Sequence, residues 1–241
     1  MFRHHGKTRT YSHNLKIASV LSIVAGIVNV TGFFAVHELT TNVTGHFAYF
    51  MDNIVKYDIS NGIVYLLYVF FFFFGSFMSS FLIEFISRKG ERFVYIIPAT
   101  IEIIILLLLG VFGHYLILHY PSSIAFGLLF SMGLQNSLVT TISNAVVRTT
   151  HLTGLFTDLG IELSQLFFYK KIEQKQKLMA SIRLRITIIL SFFVGGVLGG
   201  LLYMQIHMHT LFIAAAILLA GLIYDNIKIR LLLLRRKLRN Y

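Results

Sequence analysis

Cysteine is absent from this chain, which excludes disulfides, thiolate metal sites and thiol nucleophiles. Proline occurs twice, and charged residues fill only 13% of the 241 positions. Water-soluble domains carry roughly 25%. Acidic residues are scarce, ten against 21 lysines and arginines. Neither H-E-x-x-H nor G-x-S-x-G occurs, so the metalloprotease and serine-hydrolase signatures are missing. His207-Met-His209 and the pair His114 and His119 have no cysteine or acidic residue beside them, a weak basis for a metal site. The expectation is a non-enzyme without cofactor or metal.

What the chain does have is apolar length. Hydrophobic residues make up 56% of it, and mean hydropathy is +0.75. Six apolar runs approach the ~20 residues that a bilayer-spanning helix needs. They are Leu15–Val36, Gly62–Ile86, Phe93–Gly113, Ser122–Ile142, Ile186–Ile206 and Leu211–Ile227. Pro98 is expected to bend the third, which membrane helices tolerate.

A pI near 9.9 admits nucleic acid as a partner until the charges are placed. Arg3, Lys7, Arg9 and Lys16 lie at the first run, and Arg88, Lys89 and Arg92 between the second and third. Arg148 to Arg185 lie between the fourth and fifth, and Lys228 to Arg239 follow the sixth. With both termini cytoplasmic, Lys56 alone falls outside. Basic loops held inside account for the charge, with no nucleic acid, and six crossings follow. The basic N-terminus enters the first run with no cleavable-signal pattern. The expected layout is a basic segment 1–14, membrane repeats 15–117 and 118–227, and a basic segment 228–241.

Thr41 to Phe47 reads TNVTGHF, and Thr150 to Phe156 reads THLTGLF, 109 residues later. The likeness extends upstream, where Gly26-Ile-Val-Asn29 matches Gly133-Leu-Gln-Asn136 after a two-residue difference in loop length. Downstream, Gly75 and Ser79 match Gly195 and Gly199, small-xxx-small spacings that suit close helix packing. The segments after the motifs, Gly45–Tyr57 and Gly154–Tyr169, would destroy the charge asymmetry if they crossed. Fifteen helical residues reach about 22 Å of a ~30 Å core. Each segment is therefore expected as a re-entrant or interfacial half-helix. Three crossings per unit is an odd number, so the second copy must be inverted. The expected fold is an all-α integral membrane protein, six transmembrane helices plus two half-helices in a 3+3 inverted repeat. Transporters and channels so built place their pathway between the repeats.

That architecture nominates residues. In T-x-x-T-G the glycine suits close backbone approach and a threonine hydroxyl suits a helix cap. A half-helix N-terminus also suits an anion or a carbonyl oxygen. The substrate-path candidates are Asn29, Thr41, Thr44, Gly45, His46, Asn136, Arg148, Thr150, Thr153 and Gly154. The alternatives are a capped helix entry without ligand and interhelical hydrogen bonds from the asparagines. Glu102, well inside the third run, is the coupling candidate, with a salt bridge to Arg148 as the other option. Asp158 and Glu162 repel unless something basic or solvated is near; a wet cytoplasmic face is the expected account, with the stretch Lys170–Lys177 as the alternative source of charge.

The segments GIVNVTGF (26–33), TNVTGHF (41–47) and GLQN…VRTTHLTGLFTDLG (133–160) resemble the YoaK-type family of bacterial multi-pass membrane proteins, a domain of unknown function. Its pattern runs G-x-x-D-x-x-G-F, T-G-N, G-x-Q-N and R-T-T-x-x-T-G. This chain carries Asn29 where the family usually has Asp, and His46 where it usually has Asn. The resemblance implies the bacterial inner membrane and no established activity. The leading expectation is a transporter or channel for a small polar or anionic solute. The rival is a non-transporting scaffold or sensor whose basic loops bind anionic lipid or a partner protein. Homo-oligomerisation stays open.

Overall fold

A computed structural model describes residues 10–88, 94–169 and 171–239, with side chains through Tyr224. All the described regular elements are helical. They are α1 (Tyr11–Val36), α2 (Val43–Val55), α3 (Ile59–Ser87), α4 (Ile96–His119), α5 (Pro121–Ser143), α6 (Leu152–Phe168), α7 (Ile172–Ile206) and α8 (Thr210–Arg239). A 3-10 turn at His207–His209 joins the last two. Arg3, Lys7, Arg9, Lys89, Arg92, Phe93 and Lys170 lie outside the described residues, as do the side chains of the C-terminal basic run.

Five segments are long and apolar enough to cross a membrane: α1, α3, α4, α5 and the run Ile172–Tyr224. That last run contains α7, the 3-10 turn and the first half of α8. The protein is a multi-helix membrane protein. Two expectations change. Pro98 lies in the first turn of α4, where amide groups have no intrahelical partner to lose, so it bends nothing. The fifth apolar run is the second part of a longer helix that begins at Ile172.

Glycines set which helices touch. In a bilayer, no hydrophobic force draws helices together, so close approach depends on small residues. Gly26 of α1 abuts the backbone of Phe192 and Gly196 in α7, Gly195 abuts Ile23, and Gly199 abuts Ile27. Further along, Phe34 meets Tyr203 with ring centroids 5.7 Å apart. Residue numbers rise together, so α1 and α7 run parallel. The same holds for α3 and α5. Tyr68 meets Phe126 at 5.2 Å, Gly75 abuts the Phe130 carbonyl, and Gly133 abuts the Phe72 carbonyl. Ser76 Oγ donates to the Gly133 carbonyl at 3.1 Å.

The remaining long helices close the core. Leu109 of α4 contacts Gly127 of α5, while Gly110 and Gly113 contact Phe212 and Met208. The last two contacts run in opposite directions, so α4 is antiparallel to α8, and the one-residue link at Tyr120 turns α5 back against α4. Leu21, Leu106, Leu128, Met132 and Leu138 are fully buried between these layers. The short helices sit outside them, α2 against α3 and α6 against α7.

Candidate functional site

Helix α1 ends at a left-handed His37, φ 58°. Six residues later α2 begins, and the motif residues build the joint. Asn29 Oδ1 reaches back from α1 to accept from the Thr41 amide (3.1 Å) and the Thr41 hydroxyl (2.9 Å). Asn42, not a threonine, caps α2 by accepting from the Gly45 amide at 3.1 Å. A methyl group on Gly45 would lie 2.6 Å from Asn42 Nδ2. The motif glycine thus makes room for the capping side chain, a different reason from the backbone approach expected. Thr44 points outward and is exposed.

The residue after the motif, His46, is 2% exposed. Its Nε2 lies 2.8 Å from the Leu39 carbonyl and its Nδ1 3.5 Å from Glu38 Oε2. Burial pushes the imidazole below its usual range, against the Leu39 hydrogen bond, and raises the Glu38 carboxyl to about 7. Tyr68 stands edge-on to the imidazole at 5.2 Å, and Tyr65 stacks at 6.3 Å.

The second joint follows the first in outline. Helix α5 also ends on a left-handed residue, Asn144 at φ 52°. Asn144 follows Asn136 by the same eight residues that separate His37 from Asn29. Helix α6 then starts one residue before Thr153, as α2 starts one residue before Thr44. The polar contacts differ. Asn136 Oδ1 is buried without a hydrogen-bond partner among the described residues. Its neighbour Gln135 donates instead to the Leu21 carbonyl (3.0 Å) and the Thr149 hydroxyl (3.4 Å). His151 occupies the N-cap position of α6 but makes no capping hydrogen bond, so the first amides there stay open.

Those amides border a cavity of ≈ 670 Å³ that includes Arg148, His151, Thr153, Gly154, Asp158 and Arg185 in its wall. Arg185 binds both acids of α6, Asp158 at 2.9 Å and Glu162 at 2.8 Å, and Ser181 donates to Glu162 at 2.6 Å. A single arginine on α7 thus offsets the two acids, a role expected of solvent, with the Lys170–Lys177 stretch as the alternative. Lys177 instead pairs with Glu173 at 2.9 Å. Arg148 has no ion pair or hydrogen bond among the described residues.

Residues 17–224 match the model of a family described as a protein of unknown function, DUF1275. The chain belongs to that family. Neither a curated protein nor a solved structure matches it.

In this DUF1275 chain the candidates separate into two groups and an outlier. Asn29, Thr41, Thr44, Gly45 and His46 gather at the first joint. Arg148, Thr153 and Gly154 line the cavity at the second, with Thr150 buried just before it. Glu102 joins neither. It is fully buried in α4, both oxygens lack hydrogen-bond partners, and it makes no salt bridge to Arg148 among the described residues. Polar residues of these joints that were not nominated from sequence include Glu38, Asn42, Gln135 and Arg185. Gln135 lay one position from the asparagine that was chosen, and Arg185 lay in a run that reads as a solvated basic face.

Proposed function

We propose that the protein is a YoaK-type inner-membrane transporter or channel for a small polar or anionic solute, non-enzymatic, with both termini cytoplasmic. The reading combines six crossings with two re-entrant half-helices in an inverted 3+3 repeat, each half contributing one entrance. One observation carries it. Two helices of 13 and 17 residues, about 20 and 26 Å long and so short of a ~30 Å core, begin at the same position of the same motif. The packing supports it. The first long helix of each half lies parallel to the second long helix of the other, α1 with α7 and α5 with α3.

The cytoplasmic entrance suits an anion. Arg148 offers a guanidinium not spent on a protein carboxylate, beside α6 amides that no side chain caps. The outer entrance is closed by the Asn29–Thr41 contact and the Asn42 cap. Basic loops facing anionic lipid fit this arrangement without being its purpose.

The absence of cysteine permits a direct test. Single cysteines replace Thr44 and Thr153, both exposed at equivalent positions. A membrane-impermeant thiol reagent is applied to intact cells and to inverted vesicles. Thr44→Cys should label only from outside and Thr153→Cys only from inside. In proteoliposomes, Arg148→Ala should then reduce anion flux at least tenfold. Labelling of both positions from one side would overturn the inverted repeat. Flux unchanged by Arg148→Ala and by loss of both motif glycines would overturn transport through these entrances.

A further inference from the structure

The buried pair at the first half-helix has no counterpart at the second. Leu155 stands where the motif places His46, and Ala145 follows the helix end where Glu38 does. Whatever the pair does, it does on one side only.

Its geometry counts protons. The Leu39 carbonyl can only accept, so the imidazole Nε2 at 2.8 Å carries a hydrogen. Nδ1 makes no hydrogen bond among the described residues and lies 3.5 Å from Glu38 Oε2, within ion-pair reach. With no further proton, the Nδ1 lone pair opposes a carboxylate. With two, an imidazolium N–H opposes a carboxylic acid and a net charge is buried. A single proton, on the carboxyl or on Nδ1, removes both conflicts.

Among the described residues, the surroundings contribute no competing charge. Helix α3 presents the Tyr65 and Tyr68 phenols, and α2 adds Tyr49, stacked on Tyr65 at 5.1 Å. Helix α5 reaches the cluster through Phe126, against Tyr68. Asp52 and Lys56 at the far end of α2 pair with each other at 2.7 Å, and Asp58 caps α3. His37, next in chain to Glu38, packs edge-on to Phe33. The Glu38 side chain is 15% exposed and that of His46 3%, so water reaches the pair through the carboxyl.

We propose that Glu38 and His46 form a single-proton binding site at the base of the first half-helix, filled from the side on which that half-helix opens. In a solute pathway such a site would link the outer entrance to external protons; that use rests on the transport reading, and the site does not. It also moves proton binding away from Glu102, which lies in neither entrance.

The test is an infrared pH titration of the full-length protein in lipid nanodiscs, which requires no solute and so reads the site independently of transport. A carboxylic C=O band should disappear as pH rises, with a midpoint near neutrality. Glu38→Gln should remove that component. His46→Gln should shift its midpoint by at least one pH unit, because the carboxyl loses its partner. A titration unchanged in Glu38→Gln, or a midpoint unmoved by His46→Gln, would overturn the site. Should the variants not fold, histidine nitrogen NMR of the wild type decides. One imidazole should hold its Nε2–H throughout while its Nδ1 signal titrates in step with the carboxyl band. Ten histidines without such a signal would overturn the site equally.

Discussion

Asn29 works through one oxygen, which accepts from both the amide and the hydroxyl of Thr41. Aspartate supplies the same acceptor. Asn29→Asp should therefore keep the joint closed, whereas Asn29→Leu leaves both Thr41 donors without their partner. Leaving such groups unsatisfied costs about 1–3 kcal/mol. A thermal melt in nanodiscs should show Asn29→Leu several degrees below both wild type and Asn29→Asp. Glu38 gives a pH-dependent counterpart. Its carboxyl is raised to about 7 by burial, above the ordinary unfolded value of about 4.3. The stability it contributes is complete below that unfolded value and is lost as pH rises through 7. Glu38→Gln cannot ionise, so it should melt close to wild type at pH 5 and above it at pH 8. The gap should reach about 1–2 kcal/mol once solvent screening of this half-buried group is allowed for. Equal melting at both pH values would show that ionised Glu38 is fully solvated.

At the scale of helices, a glycine's effect depends on what faces it. Gly75 and Gly133 each abut a backbone carbonyl of the partner helix, which cannot rotate away as a side chain can. Gly75→Ala or Gly133→Ala must push α3 and α5 apart, an overpacking cost of about 1–3 kcal/mol. The two substitutions strain one contact, so together they should cost less than the sum. Gly160, in the interior of α6 with nothing within 4 Å, should behave oppositely. Gly160→Ala should stabilise by up to about 1 kcal/mol through helix propensity. Melting temperatures of the four variants check both signs. Small-xxx-small spacing made the packing role of Gly75 and Gly195 legible in the sequence. The motif also located α2 and α6, which begin two residues before the expected Gly45 and Gly154. It did not reveal which side chain caps α2, because asparagine and threonine both suit that position and only the fold turns Thr41 toward Asn29. The early start of α7 was hidden for another reason. Its first turns carry Glu173, Lys175, Lys177, Arg183 and Arg185, a composition that hydropathy assigns to a loop. Their pairing, Lys177 with Glu173 and Arg185 with α6, emerges only when helices are placed side by side.

Across the whole molecule, sequence periodicity and charge identified the long helices but not their partners, since nothing in an apolar run states which neighbour it meets. The Glu38–His46 pair was hidden by the same limit, because its members are eight residues apart, Glu38 in the loop after α1 and His46 in α2. Partner choice has a measurable consequence. The α1–α7 and α3–α5 pairs each join one half of the chain to the other, while α3–α4 and α7–α8, neighbours within a half, touch far less. The halves are therefore held together by interlocked helices more than by the covalent link at Tyr120. That link lies between α4 and α5 and is exposed. A protease site inserted at Tyr120 should be cut in intact nanodiscs, and the two fragments should still elute as one species from a mild detergent column. Adding Gly75→Ala and Gly195→Ala to the cut protein should release them, because these glycines seat the two inter-half pairs. Fragments that part on cutting alone would mean that the connection, not the helix pairing, holds the molecule together.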